Sequence, residues 1–132
     1  MATIHKELLI DTAPEHAWEA VRDVGAPHSR LVPGVLVDTR MHGGARVVTF
    51  AQGLVARELI VSVDDHARRL AYAWVGGKAT HHNASMQVFA DGDAGTRLVW
   101  ITDLLPDELA GPIGALIEQG MTAMQHALRR PA

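Results

Sequence analysis

Two adjacent pairs of titratable residues are the first features of this 132-residue chain that could do chemistry: Arg57-Glu58 and His81-His82. On a strand, neighbouring side chains point to opposite faces, so only one member of each pair can reach an interior. A buried arginine would orient a carboxylate or phenolate, whereas a buried glutamate would need a partner or a raised pKa. The strand pattern leaves open which of Arg57 and Glu58 turns inward, and the other has its plain reading in a cross-strand ion pair on the outer face. His82 is a candidate acid or base, because imidazole titrates near neutral pH. Its plain reading is a surface or hydrogen-bonded structural histidine. Together with Tyr72, these residues make four candidate catalytic groups: His82, Tyr72, Arg57 and Glu58.

Other chemistries are excluded on spacing. Eight histidines are many for this length, yet the His81-His82 pair cannot chelate one ion from opposite faces of a strand, and no His-x-His, His-x-x-x-His or Glu-x-x-His motif accompanies it. No metal and no cofactor are expected. The chain has no cysteine, which removes disulfides, thiolate nucleophiles and cysteine-based metal sites together. Ser29 beside His28 lacks an acidic third member and a Gly-x-Ser-x-Gly elbow. Asn83-Ala84-Ser85 matches a glycosylation sequon, which has no meaning in a cytoplasmic strand. Twelve basic and fifteen acidic residues give a net charge of -3, and the scattered cations leave no footprint for a phosphate backbone, so nucleic acid is not an expected partner. No apolar run approaches the roughly 20 residues that cross a bilayer, and charges interrupt the N-terminus where a signal peptide needs an apolar stretch. A cytoplasmic location is the expectation.

Aromatic and sulfur side chains supply a second set of candidates, for holding a ligand. Taking the more apolar phase of each later strand as inward, the lining is Tyr72 and Trp74 from strand five, His82, Ala84 and Met86 from strand six, and Leu98, Trp100 and Thr102 from strand seven. Ile113, Ile117, Gly120, Met121 and Met124 face them from the last helix. Tryptophan and tyrosine can cap an apolar ligand and offer an N–H or O–H as a polar handle. Their plain reading is core packing, as it is for Trp18, and methionines at such positions commonly fill gaps.

These side chains need a frame. Thr3 to Ile10 alternates as a strand, and Thr12-Ala-Pro-Glu15 matches a capping box opening a helix with Ala17, Trp18 and Val21 inward. Gly25-Ala-Pro27 stops it before a short helical turn near His28 to Leu31. Four strands follow at Val35–Arg40, Ala45–Phe50, Leu54–Val63 and Arg69–Val75, separated by turn-forming clusters. His81–Phe89 and Thr96–Asp103 make seven in all. Pro106 to Arg130 carries an apolar stripe at helical spacing, and a helix over Asp107 to Arg129 would run roughly 34 Å. Gly111-Pro112 is expected to kink or restart it, and Asp103, Asp107 and Glu108 to favour its N-terminal dipole. At 48% hydrophobic and 20% charged, residues 1–132 read as one ordered domain with one core.

The order β, α, α, six hairpin-linked strands and a long α describes an α+β helix-grip fold: a seven-stranded curved antiparallel sheet wrapped around the C-terminal helix, with two short helices between strands one and two. In that order and spacing, Ile10-Asp-Thr-Ala-Pro14-Glu-His-Ala-Trp18, Arg57-Glu58 with the strand ending Val63-Asp64-Asp65, Arg69-Leu-Ala-Tyr72 and Gly92-Asp-Ala-Gly95-Thr-Arg97-Leu-Val-Trp100 resemble the START-like helix-grip superfamily, specifically its bacterial polyketide cyclase/dehydrase and lipid-transport group. The resemblance spans nearly the whole chain. It implies a hydrophobic pocket between sheet and helix, without a universal catalytic motif to carry over. Binding or transport of a small hydrophobic molecule is the first expectation. An enzyme of the cyclase or dehydratase kind, acting on an aromatic or polyketide-like substrate, is the alternative. A protein-interaction module would need a large exposed apolar patch. Pairing of an exposed sheet edge into a homodimer stays open.

Overall fold

Period-two alternation becomes seven strands in a computed structural model of the protein, which describes residues 2–129. They are β1 (Ala2–Ile10), β2 (Leu36–His42), β3 (Ala45–Phe50), β4 (Val55–Asp64), β5 (Arg69–Val75), β6 (His81–Asp91) and β7 (Gly95–Leu105). The helices are α1 (Pro14–Arg22), α2 (Pro27–Arg30) and α3 (Ala110–Leu128), the last preceded by a 3₁₀ turn at Asp107–Leu109. All strands join one antiparallel sheet in the order β1-β7-β6-β5-β4-β3-β2. This is the helix-grip arrangement, with α3 covering the concave face.

One phase of each strand builds the core. Leu70 and Tyr72 on β5, Ala84, Met86 and Val88 on β6, and Leu98, Trp100 and Leu104 on β7 are buried. From α3, Ile113, Ile117, Gly120, Met124 and Leu128 meet them, and their spacing of four, three, four and four residues keeps one helical face inward. Each fully buried leucine or methionine contributes about 1.5–3 kcal/mol by leaving water. Gly120 is what lets α3 come close. A Cβ there would lie 3.0 Å from Trp100 Cζ3 and 3.1 Å from Cη2. Gly120→Val should therefore lower stability by about 1–3 kcal/mol through overpacking, measured by denaturant unfolding. An unchanged midpoint would mean that the Trp100 ring yields freely.

Three local expectations are corrected. The capping box at Thr12 does not form: the N-cap of α1 is Ala13, with no side-chain cap. The Thr12 carbonyl instead accepts from Thr96 Oγ1 at 2.8 Å, and Glu15 accepts from Arg68 Nη2 at 3.1 Å. The Thr12 N–H that Glu15 would have reached donates to the Ile10 carbonyl at 2.9 Å, and the Glu15 carboxylate goes to Arg68. Gly111-Pro112 does not interrupt the last helix, because α3 begins at Ala110 and Pro112 falls in its first turn, where a missing N–H would have had no intrahelical partner anyway. Asp103 does not serve the helix entry. On the outer face it accepts from Thr3 Oγ1 at 2.7 Å and Asn83 Nδ2 at 3.0 Å, and these bonds hold its carboxyl below the usual range.

Candidate functional site

The hairpin registers assemble a buried polar group under α3. Arg46 of β3 stands opposite Glu58 of β4, and Glu58 stands opposite Trp74 of β5. Arg46 Nε donates to Glu58 Oε1 at 2.7 Å, and Trp74 Nε1 donates to Glu58 Oε2. The side chains of Arg46 and Glu58 are only 5% and 8% exposed. A second bond from Arg46 Nη1 reaches the Val24 carbonyl at 3.4 Å, and the guanidinium lies over the Tyr72 ring, 5.3 Å from its centroid. The two charges thus neutralise one another where water is scarce, and every buried side-chain polar atom of the described residues has a partner.

Tyr72 and His82 complete the group. Trp100 Nε1 donates to the Tyr72 hydroxyl oxygen at 3.0 Å. Burial, and after it the nearby Glu58 carboxylate, push the phenol far above its ordinary value, so it stays protonated. His82 stacks on Trp74 with ring centroids 4.9 Å apart, and its Nδ1 accepts the Trp74 backbone N–H at 3.0 Å. That bond leaves the neutral ring its proton on Nε2. Burial, helped by neighbouring His81, pulls the His82 pKa from 6.5 down to about 4. An unfolded chain takes up this proton first as pH falls, so the stability that His82 contributes is complete above about pH 6.5 and is lost between there and about pH 4. Unfolding midpoints across that window should fall for the native protein and fall less for His82→Phe. Equal slopes would remove His82 from the account.

The open space divides in two. An interior gap of about 60 Å³ lies between the polar group and α3, room for a few waters. Tyr72, Trp74, His82, Met86 and Trp100 border it from the sheet, and Ile113, Ile117 and Gly120 from the helix. Outside it, a groove of about 530 Å³ runs between β3, the start of β4, the end of β5 and the start of α3, walled largely by apolar residues including Leu54, Ala56, Leu109 and Pro112. Trp74, Ile113 and Leu116 border both spaces, so they stand between the groove and the interior.

Of the four candidate catalytic groups, Glu58, Tyr72 and His82 converge on the gap, while Arg57 turns to the other face and donates to His42 Nδ1 at 3.4 Å. Arg57 reaches the groove instead. Met124 is fully buried in the core and Met121 packs half-buried against it, neither bordering the gap. Sequence reasoning passed over Arg46. It shares a strand phase with Val48 and Phe50, both buried, and that phase was the available signal. Trp18 is core, with its indole N–H donated to Asp65 Oδ1 at 2.9 Å. No three histidine, aspartate or glutamate side chains converge as metal ligands among the described residues, and no described helix is long and apolar enough to cross a membrane.

Similar architectures recur among solved structures. The protein XoxI from Bacillus cereus aligns with a TM-score of 0.87 at 17% identity, covering 97% of this chain and 96% of that one. A Thermobifida fusca structure aligns at 0.79 with 24% identity, over 100% and 99% of the two chains. Norcoclaurine synthase from Thalictrum flavum aligns at 0.69 with 18% identity, over 92% and 91%. At these identities the likeness is one of fold. No curated protein matches the chain. The model of the family described as polyketide cyclase / dehydrase and lipid transport, however, matches residues 1–130, and to that family the chain belongs.

Proposed function

We propose that the protein binds a small, largely apolar molecule, with its body in the groove beside Trp74 and its leading end at the buried polar group. The observation that carries this reading is an apolar groove that lies against a polar-ended interior, the two sharing Trp74, Ile113 and Leu116 as wall. A volume of about 530 Å³ falls within the ordinary range of small-molecule sites, and lipid transport is part of the family's description. The test is titration with an apolar fluorophore, following both its emission and the quenching of tryptophan. One saturable site is expected, with binding weakened by Leu116→Trp, which fills the groove. Absence of saturable binding would refute the reading.

An enzyme of the cyclase or dehydratase kind is the second reading, favoured by one observation. Tyr72 O–H and His82 Nε2–H have no acceptor among the described residues, their rings lie 6.1 Å apart, and Glu58 stands beside them as a carboxylate. Such donors can polarise a carbonyl while a carboxylate takes a proton. A structure of norcoclaurine synthase, similar in fold, is described in complex with dopamine and hydroxybenzaldehyde, which supports small aromatic substrates as the first to assay. Loss of turnover in Tyr72→Phe and His82→Gln with ligand binding retained would support catalysis. Binding without any turnover leaves the carrier reading.

A further inference from the structure

The charge around the groove is of one sign. Its charged wall residues are Arg57 and Lys78, and no aspartate or glutamate borders it, although the chain as a whole carries a net charge of -3. Asp107 and Glu108 lie immediately before Leu109 in sequence, yet only Leu109 of the three forms part of the wall. Arg57 has no carboxylate partner among the described residues; its hydrogen bond goes to His42. Lys78 makes no ion pair among them. The backbone brings both cations to one end of the β4–β5 pair: Arg57 pairs in register with Val75 at the end of β5, and exposed Lys78 follows three residues later, after Gly76 at a φ of +76° that favours glycine.

Deeper in, the sign disappears. Arg46 is already neutralised by Glu58 at 2.7 Å, Tyr72 stays protonated and His82 stays uncharged near neutral pH. An anion drawn past Trp74 would lose its hydration with no free cation to meet it. The favourable place for negative charge is therefore the mouth, and for an apolar body the groove.

We propose that the groove selects an amphipathic anion, an apolar molecule ending in a carboxylate or a comparable anionic head, with the head held at the mouth by Arg57 and Lys78 and the body directed toward Trp74. This rests on the binding reading above and adds the class of ligand. Arginine suits the role because its planar fork meets a carboxylate in two parallel bonds, while lysine adds a mobile point charge.

Decanoate, decanol and decyltrimethylammonium, each below its micelle threshold, share a chain and differ in head charge. Measured by displacement of the apolar fluorophore in low salt, decanoate should bind about tenfold more tightly than decanol, with the cation weakest. The preference should shrink as salt is added and vanish in the double variant Arg57→Ser/Lys78→Ser, whose unfolding midpoint stays close to that of the native protein because both side chains are exposed. Equal affinity for decanoate and decanol, or tightest binding of the cation, overturns the charge selection and leaves apolar binding intact. Failure of all three to displace a bound fluorophore overturns the amphipathic-anion class, whereas failure of the fluorophore itself to bind overturns the binding reading.

Discussion

Glu58→Ala should destabilise the protein by about 3–5 kcal/mol, the cost of leaving a buried charge without its partner. The carboxylate is the shared acceptor of Arg46 Nε and Trp74 Nε1, and the alanine variant strands both donors under α3. Little water reaches the arginine, whose side chain is 5% exposed, so solvent cannot replace the lost acceptor. The effect belongs to the charge rather than to the volume, and a second variant separates the two. Arg46→Met/Glu58→Leu removes both charges while keeping comparable bulk, and it should regain most of the loss, since well-packed apolar replacements for a buried ion pair are often neutral or better. Denaturant unfolding of the two variants gives the contrast directly. A loss below about 1 kcal/mol in Glu58→Ala would mean that Arg46 swings out to solvent, and the polar group would then be a soft feature of the pocket rather than a fixed one.

How much of this was legible in the sequence depends on the range of the interaction. Strand alternation is local, and it placed all seven strands, including the inward phase of β5, β6 and β7 that carries Tyr72, His82 and Trp100. The α3 stripe was equally plain, because an apolar face repeats along a helix whatever covers it. Arg57 and Glu58 could not be separated locally, since the outer phase of β4 also carries Val55, Leu59 and Val61, all exposed. Hydrophobicity points the wrong way on that strand. What turns Glu58 inward is Arg46 directly across the hairpin, a pairing visible only once the register is known. The capping box failed in part for the same kind of reason, as Arg68, distant in sequence, holds the Glu15 carboxylate. Nor does composition reveal how small the interior gap is, which depends on where one indole ring comes to rest.

That ring belongs to Trp100, and Trp100→Ala should cost about 3–5 kcal/mol, in the range of large aromatic deletions from a core. The residue is 9% exposed, its ring edge packs so close to Gly120 that a Cβ there would lie 3.0 Å from it, and its N–H is donated to Tyr72. Removing it joins an indole-sized void to the gap of about 60 Å³ already present. Because Gly120 presents no side chain to collapse into that void, part of it should persist. The variant should then bind free indole, and the midpoint of unfolding should climb with indole concentration as ligand binding to the folded state requires. Trp100→Phe retains most of the apolar contact and loses the bond to Tyr72, so it should lose less stability and gain little from indole. If indole leaves the midpoint of Trp100→Ala unchanged, the helix and sheet have closed over the vacancy. If indole raises it, the small interior of the native protein reflects the bulk of one side chain, and the same fold has room for a deeper ligand whenever position 100 is small.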